Sequence, residues 1–412
     1  MTLTSIDLLD PSGFERGTPH DQFARLRREA PVYFHPESDG PGFWCLTKYA
    51  DVRYVSKHPE LFSSMRQGTM IRDPAPADLP LLQSIMLNMD PPQHRHFRAL
   101  VNKAFTPRMV NGLRRAVDAM VTRIIDEVIE LGECDFVNDI AAPLPMEVIC
   151  EMVGVPNEDR RRIYELGNQM IGVDDPELSD ASMLGTRDYQ NASLEMFMYA
   201  AKLADICRKH PADNLGTALL TAEIDGNRLT DLEFNSFFLL LAVAGNETTR
   251  TVTTNGMLAM MQNPEQFRAV REDPSLVTCA VEEMIRYAPP VHHFRRTALA
   301  DTEIRGVAIR ENDKLVMWYP SANRDEEVFT DPDVFDVRRS PNEHLGFGIG
   351  EHFCLGANLA RLELHAIVRE LVRRVPDLAL AAAPRRLRSN FINGVKEMRV
   401  RFTPQPRLAV AG

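Results

Sequence analysis

Residues 231–262 repeat apolar side chains at three- and four-residue spacing over about nine turns. Thr230 precedes "DLEF", which places a cap and two early acids ahead of the apolar face, and Pro264 closes the run. Nine further stretches carry the same period: 20–30, 92–103, 108–131, 144–153, 158–172, 187–210, 264–271, 275–287 and 357–374. Strand-like pieces are short: "APVYFHP", "GFWCLTK", "TEIRGVAI", "DKLVMWY" and "EMRVRF". They cluster near the N-terminus and after residue 294 and do not alternate with helices, which argues against a doubly wound sheet. The expectation is a mainly α body with a small β portion. Residues 63–91 and 319–350 lack a period and are rich in turn-forming residues; long loops of this kind are usually functional. No internal repeat or linker divides the chain.

At 412 residues, with 44% hydrophobic and 25% charged residues, the chain is long enough to enclose a sizeable ligand. A net charge of −11 argues against a nucleic-acid partner. The opening "MTLTSIDLLDPSGFERG" lacks the basic start and apolar centre of a secretory signal. The longest apolar stretch, around Phe237–Gly245, is too short for a membrane span. The expectation is a soluble, cytoplasmic protein. None of the cysteines (Cys45, Cys134, Cys150, Cys207, Cys279 and Cys354) belongs to a C-x-x-C pair, so most should be reduced and inert.

Cys354 is the exception. Gly346, Gly348, Gly350 and Gly356 surround it, and a helical pattern begins at Ala357. The glycines allow a backbone that approaches a flat surface closely. The amides and dipole of the following helix favour a thiolate. A thiolate beside a flat partner is one way to hold haem iron. "FGIGEHFCLG" resembles the haem-binding loop of the cytochrome P-450 family, F-x-x-G-x-[RH]-x-C-x-G, with Phe347, Gly350, His352, Cys354 and Gly356 in place. The resemblance covers nearly the whole length. It implies a single-domain cytochrome P-450 fold over 1–412, a triangular helical body with small antiparallel sheets. Residues 1–20 would be an N-terminal arm and 403–412 a frayed tail. It further implies that Cys354 ligates the iron of haem b (iron protoporphyrin IX), with Phe347, Gly348 and Gly356 against the macrocycle and His352 on a propionate.

Other motifs agree. "AGNETTR", residues 244–250, sets small Ala244 and Gly245 before Glu247 and Thr248. By itself such a segment often marks helix packing. It resembles the family's oxygen-activation motif, which implies that Thr248 holds water and oxygen by hydrogen bonds while Glu247 relays protons. "EEMIR" spaces Glu283 and Arg286 three apart, either a surface pair or the family's buried E-x-x-R pair, joined by Arg339 from "FDVRRSP". "PPQHRHFRAL" offers His94 and Arg98 four apart, like the family's propionate clamp. Arg296 in "HHFRRTA" stands where relatives carry another propionate-binding arginine, with Arg295 as its rival. His292 and His293 lack metal-ligand spacing, and one of them lines the cavity on the family reading.

The resemblance places the substrate among the 63–91 loop, a stretch near 165–190, the 237–248 helix face, and 290–294 with 391–395. These contribute Met65, Met70, Met86, Met170, Met183, Leu241, Ala244, Thr248, Val291, Phe294, Phe391 and Val395. Each methionine alone is ordinary core filler. Together they suggest an adaptable apolar cavity for a terpenoid, steroid or other lipid-like molecule. "SANRDEEVF" and "HLGFG" resemble bacterial members that hydroxylate sterols, terpenes and branched lipids. The implied function is a haem-thiolate monooxygenase that inserts one atom of dioxygen into a C–H bond. Electrons would come from a ferredoxin and its reductase, docked near Arg95, Lys103 and Arg361. A haem-thiolate sensor or carrier without turnover is the alternative, although "AGNETT" supplies a proton relay that a sensor does not need. A third reading, a cysteine hydrolase built on Cys354 and His352, lacks a group to orient the histidine.

Overall fold

The computed structural model describes residues 3–170, 175–177, 183–224 and 226–408. The side chain of Met183 and the tail end 409–412 lie outside the described part. Helices make most of the body. The central one is Asp231–Gln262, whose Thr230 and Glu233 form a reciprocal capping box; loss of such a cap costs about 1 kcal/mol. Packed on it are Pro143–Val153, Met183–Lys209, Val277–Tyr287 and Ala357–Arg374. Their apolar faces, with those of Gln93–Ala104 and Arg114–Val128, form the main core, from Phe97 and Ile124 through Met257 to Leu371.

The predicted helix 108–131 is two helices, Pro107–Gly112 and Arg114–Val128. Gly112 ends the first, and the helix-favouring residues that follow start a new axis. Tyr49–Lys57 and Leu215–Thr221 are helices that lacked a clear periodic signal. Within 63–91 the chain forms short helical turns at Leu79–Gln83 and Met86–Asn88.

The largest sheet has five strands in the order Val32–His35, Phe43–Leu46, Lys314–Trp318, His293–Ala298 and Phe62–Ser63. Pairing is antiparallel throughout except between Trp44–Leu46 and Leu315–Met317, which run parallel. Its two faces bury separate cores: Leu46, Leu315 and Met317 on one side, Phe43, Cys45, Val316 and Trp318 on the other. This is the period-2 alternation of a strand covered on both faces. "EMRVRF" belongs to two strands, Val395–Glu397 and Arg399–Arg401. The latter pairs with Glu133–Asp135 and Ala379–Leu380. Residues 403–408 are exposed but tied back to the body by hydrogen bonds. Thr403 N and Oγ1 donate to Asp377, Gln405 N to Ile129 O and Leu408 N to Asp126, so backbone donors at the chain end are satisfied. Among the described residues no helix is long and apolar enough to cross a membrane.

Candidate active site

The loop 345–356 turns back on itself through two backbone bonds, Gly348 N to Leu345 O and Cys354 N to Phe347 O, each 2.9 Å. Gly350 has a φ of +80°, and a Cβ there would stand 2.5 Å from Ser56 O on the neighbouring helix. Gly350→Ala should therefore cost at least about 1–3 kcal/mol from backbone strain alone, with the clash in addition. A denaturant midpoint equal to the wild type would refute this. Burial pushes the Cys354 thiol up; the Gly356 N–H and the charges of Arg98 and Arg361 pull the other way. Burial thus keeps the sulfur a thiol in the free protein, while one amide donor and two cations stand ready to support its charged form.

Four basic side chains gather beside it. His94 and His352 lie ring against ring, with centroids 4.2 Å apart. His352 Nε2 meets Ser64 Oγ at 3.3 Å. Burial, and then the charges of Arg296, His94 and Arg98, push His352 down to about 2. His94 is lowered by burial and by Arg98, with Glu351 opposing; its buried Nδ1 has no hydrogen-bond partner and lies 3.9 Å from Glu351. Arg296 is buried and, among the described residues, donates only to Arg295 O. Among the described residues no carboxylate pairs with Arg98 or Arg296. Such a cluster is destabilised unless anions complete it. Its donor set fits the two propionates of haem, and the sulfur next to it fits the iron.

Arg295 is committed elsewhere, to Asp73 at 2.6 Å and to the carbonyls of Met70 and Ile71. This separates the two rival arginines, because neighbours on a strand point to opposite faces.

The central helix is buried at Ala242, Asn246, Glu247 and Thr249, yet Ala244 is exposed and Leu241 and Thr248 are half-buried. Positions 241, 244 and 248 share one face, so an accessible stripe runs along an otherwise packed helix. Gly245 is not part of it. A Cβ on Gly245 would meet Ile149 Cδ1 at 2.8 Å, so this glycine serves the contact with Pro143–Val153, and only Ala244 trims the open face. Thr248 Oγ1 donates to Ala244 O at 2.6 Å, which leaves its lone pairs to accept. Glu247 pairs with Arg250 and accepts from Thr251 Oγ1 at 3.1 Å. Burial raises its carboxyl, against the pull of Arg250 and Thr251. Arg250 escaped the sequence reading although its three-residue spacing from Glu247 was visible.

Beyond this face, the rings of Phe294 and Phe391 meet at 5.7 Å, and Val291 bridges Ile392. Met65 is partly buried and Met70 is 42% exposed, while Met86, Met170 and Val395 are packed into the main core. His292 is tied to Thr18 and Asn390, and His293 lies between Trp318 and Phe391.

Glu283 and Arg286 are both 0% exposed and joined by two bonds of 2.7 Å. Arg339 Nε reaches Glu283 at 3.1 Å, and Asp336 N and Asn342 Nδ2 also donate to it. Arg286 binds the carbonyls of Asn323, Pro332 and Val334. Asn323 Oδ1 in turn accepts from Leu345 N at 2.7 Å, which links the network to the cysteine loop. Of the three cations expected to form a docking patch, Arg95 pairs with Glu351, Arg361 with Glu282, and Lys103 donates to Glu223 O.

A family model for cytochrome P-450 matches residues 45–375. The chain is 41% identical over 406 residues to a steroid C26-monooxygenase of Rhodococcus jostii, covering 96% of this chain and 84% of that protein. It is 43% identical over 392 residues to a methyl-branched lipid omega-hydroxylase of Mycobacterium tuberculosis, covering 92% and 90%. A solved Mycobacterium marinum cytochrome P-450 in complex with pseudoionone superposes with a TM-score of 0.89 at 38% identity, covering 97% of this chain and 98% of that one.

Proposed function

Since the chain belongs to the cytochrome P-450 family, whose haem b and dioxygen make it a monooxygenase, we propose that Cys354 holds the iron and that the substrate is a steroid, terpenoid or methyl-branched lipid attacked at a chain-terminal carbon. The observation that carries the ligand assignment is the juxtaposition of one loop sulfur with four basic groups, two of them arginines with no carboxylate partner among the described residues. His94, Arg98, Arg296 and His352 would take the propionates through charge-assisted bonds. Haem bound there supplies dioxygen activation, one oxygen atom going to a substrate C–H bond and the other to water.

The chain's own residues do the rest. Leu241, Ala244, Val291, Phe294 and Phe391 give a water-poor wall that orients an apolar molecule by shape. The omega position and the steroid C26 position, named for the two relatives, support attack at a chain end. Thr248 Oγ1, with its own proton engaged by Ala244 O, accepts from a water and fixes it. Burial raises the Glu247 carboxyl against the pull of Arg250, which suits it to carry a proton inward from solvent.

Electrons would come from a ferredoxin and its reductase. A cleft of about 300 Å³ on the cysteine-helix side is lined by Arg114, Arg361 and His365 and suits an acidic partner. No described cysteine is in a disulfide, which supports a cytoplasmic, reducing setting.

The substrate reading is tested by titrating the ferric protein with steroids, terpenoids and branched fatty acids. A low- to high-spin shift with at least one class is expected, and silence across all three would refute the reading. Thr248→Ala should keep that shift while product per reducing equivalent falls, toward the lower end of the roughly 10²–10⁴-fold range for a lost proton-transfer group. Coupling at the wild-type level would remove Thr248 from the relay.

A further inference from the structure

The two adjacent glutamates of "EEMIR" serve different ends. Glu283 faces Arg286 and Arg339, whereas Glu282 accepts a two-pronged bond from Arg361, Nε to Oε1 at 2.7 Å and Nη2 to Oε2 at 2.8 Å. His344 Nε2 adds a third contact to Glu282 at 3.1 Å. Burial alone would raise the Glu282 carboxyl, yet Arg361 and His344 pull it down to about 2, so it is an anion at any working pH. The guanidinium of Arg361 also lies over the Phe347 ring, 4.6 Å from its centroid. Phe347 O holds the Cys354 amide, and Arg361 and Cys354 lie within electrostatic reach of one another.

We propose that the Glu282–Arg361 pair sets the charge felt at the Cys354 sulfur: Arg361 brings a cation up to the loop, and Glu282 decides how much of that charge remains uncancelled. A bidentate carboxylate cancels much of a guanidinium's field, and here the two side chains are only 22% and 31% exposed, so solvent screens the pair in part. The thiolate's donation to iron falls as positive charge near it grows, and the reduction potential follows. Arg361 is thus a positioning residue with an electrostatic output, and Glu282 its counterweight.

The inference rests on Cys354 being the iron ligand. Its test is the reduction potential of three haem-loaded variants. Glu282→Gln keeps shape and removes the counter-charge, so the potential should shift positive. Arg361→Met keeps the apolar stem over Phe347 and removes the cation, so it should shift negative. The double variant, neutral like the original pair, should return toward the wild type. A merely structural pair would move both single variants in the same direction, and that result, or no shift in either, overturns the proposal. If Arg361→Met does not fold, Arg361→Gln takes its place with the same expected sign. The ferrous–carbon monoxide band of the same samples separates the two assignments. A thiolate-type band with unmoved potentials overturns the charge-setting role alone; its absence from the wild type overturns the ligand assignment and this role with it.

Discussion

Cys354→Ala abolishes the thiolate-type ferrous–carbon monoxide band and all turnover. The side chains around Cys354 cannot stand in for the sulfur. His352 is two residues away, but its ring lies tilted against His94 and its Nε2 is taken by Ser64. Among the described residues no other cluster of histidine, cysteine or acidic side chains is arranged to hold a metal. Cys279 sits on the helix Val277–Tyr287, outside the loop. The basic cluster of His94, Arg98, Arg296 and His352 is untouched by the substitution, so the variant should still take up haem through its propionates. That makes the result specific: pigment present, thiolate signature gone. A variant that retained the wild-type band would show that the iron is held elsewhere.

Glu283→Gln should remove a large share of the fold's stability and lower the melting temperature. The side chain is fully buried between two arginines and accepts from two further donors. Neutralising it leaves the guanidinium of Arg286 uncompensated at 0% exposure. Breaking a buried pair by removing one partner costs about 3–5 kcal/mol. Total stabilities are about 5–15 kcal/mol. The loss also reaches the site, since Arg286 and Asn323 together hold the stretch that carries Leu345 and the cysteine loop. Thermal unfolding and haem content should fall together. An unchanged melting temperature would show that the charge is dispensable. The conservative Arg286→Lys should be destabilising too, because a lysine cannot serve Glu283 and three carbonyls at once.

Much of this was readable in advance where the signal is local. The central helix announces itself by its cap, its period and the following proline. Glu283 and Arg286 are one turn apart, and the loop around Cys354 is a contiguous string. Arg339 could be paired with Glu283 from its motif although 56 positions separate them. Features that depend on which distant surface comes to rest against a residue were not legible. Gly245 looked like part of the open face until Ile149 was found against it. Nothing in the sequence singles out Glu282, because its partner Arg361 lies 79 positions later. The helix Tyr49–Lys57 has a real apolar face, Tyr49, Val52 and Val55, but it follows a strand so closely that the two periods blur. The parallel pairing of Trp44 with Leu315 carries no mark in either segment.

The strand Arg399–Arg401 is the middle member of its three-stranded sheet, so neither neighbour has a mate until it arrives. Glu133 and Arg399 are 266 positions apart. At a synthesis rate of about 5–20 residues per second, the earlier segment waits roughly 13–50 seconds on the ribosome with an unpaired edge. Closure of this sheet is therefore a late event in the life of the nascent polypeptide, and truncation before Arg399 would release a molecule that chaperones treat as unfinished.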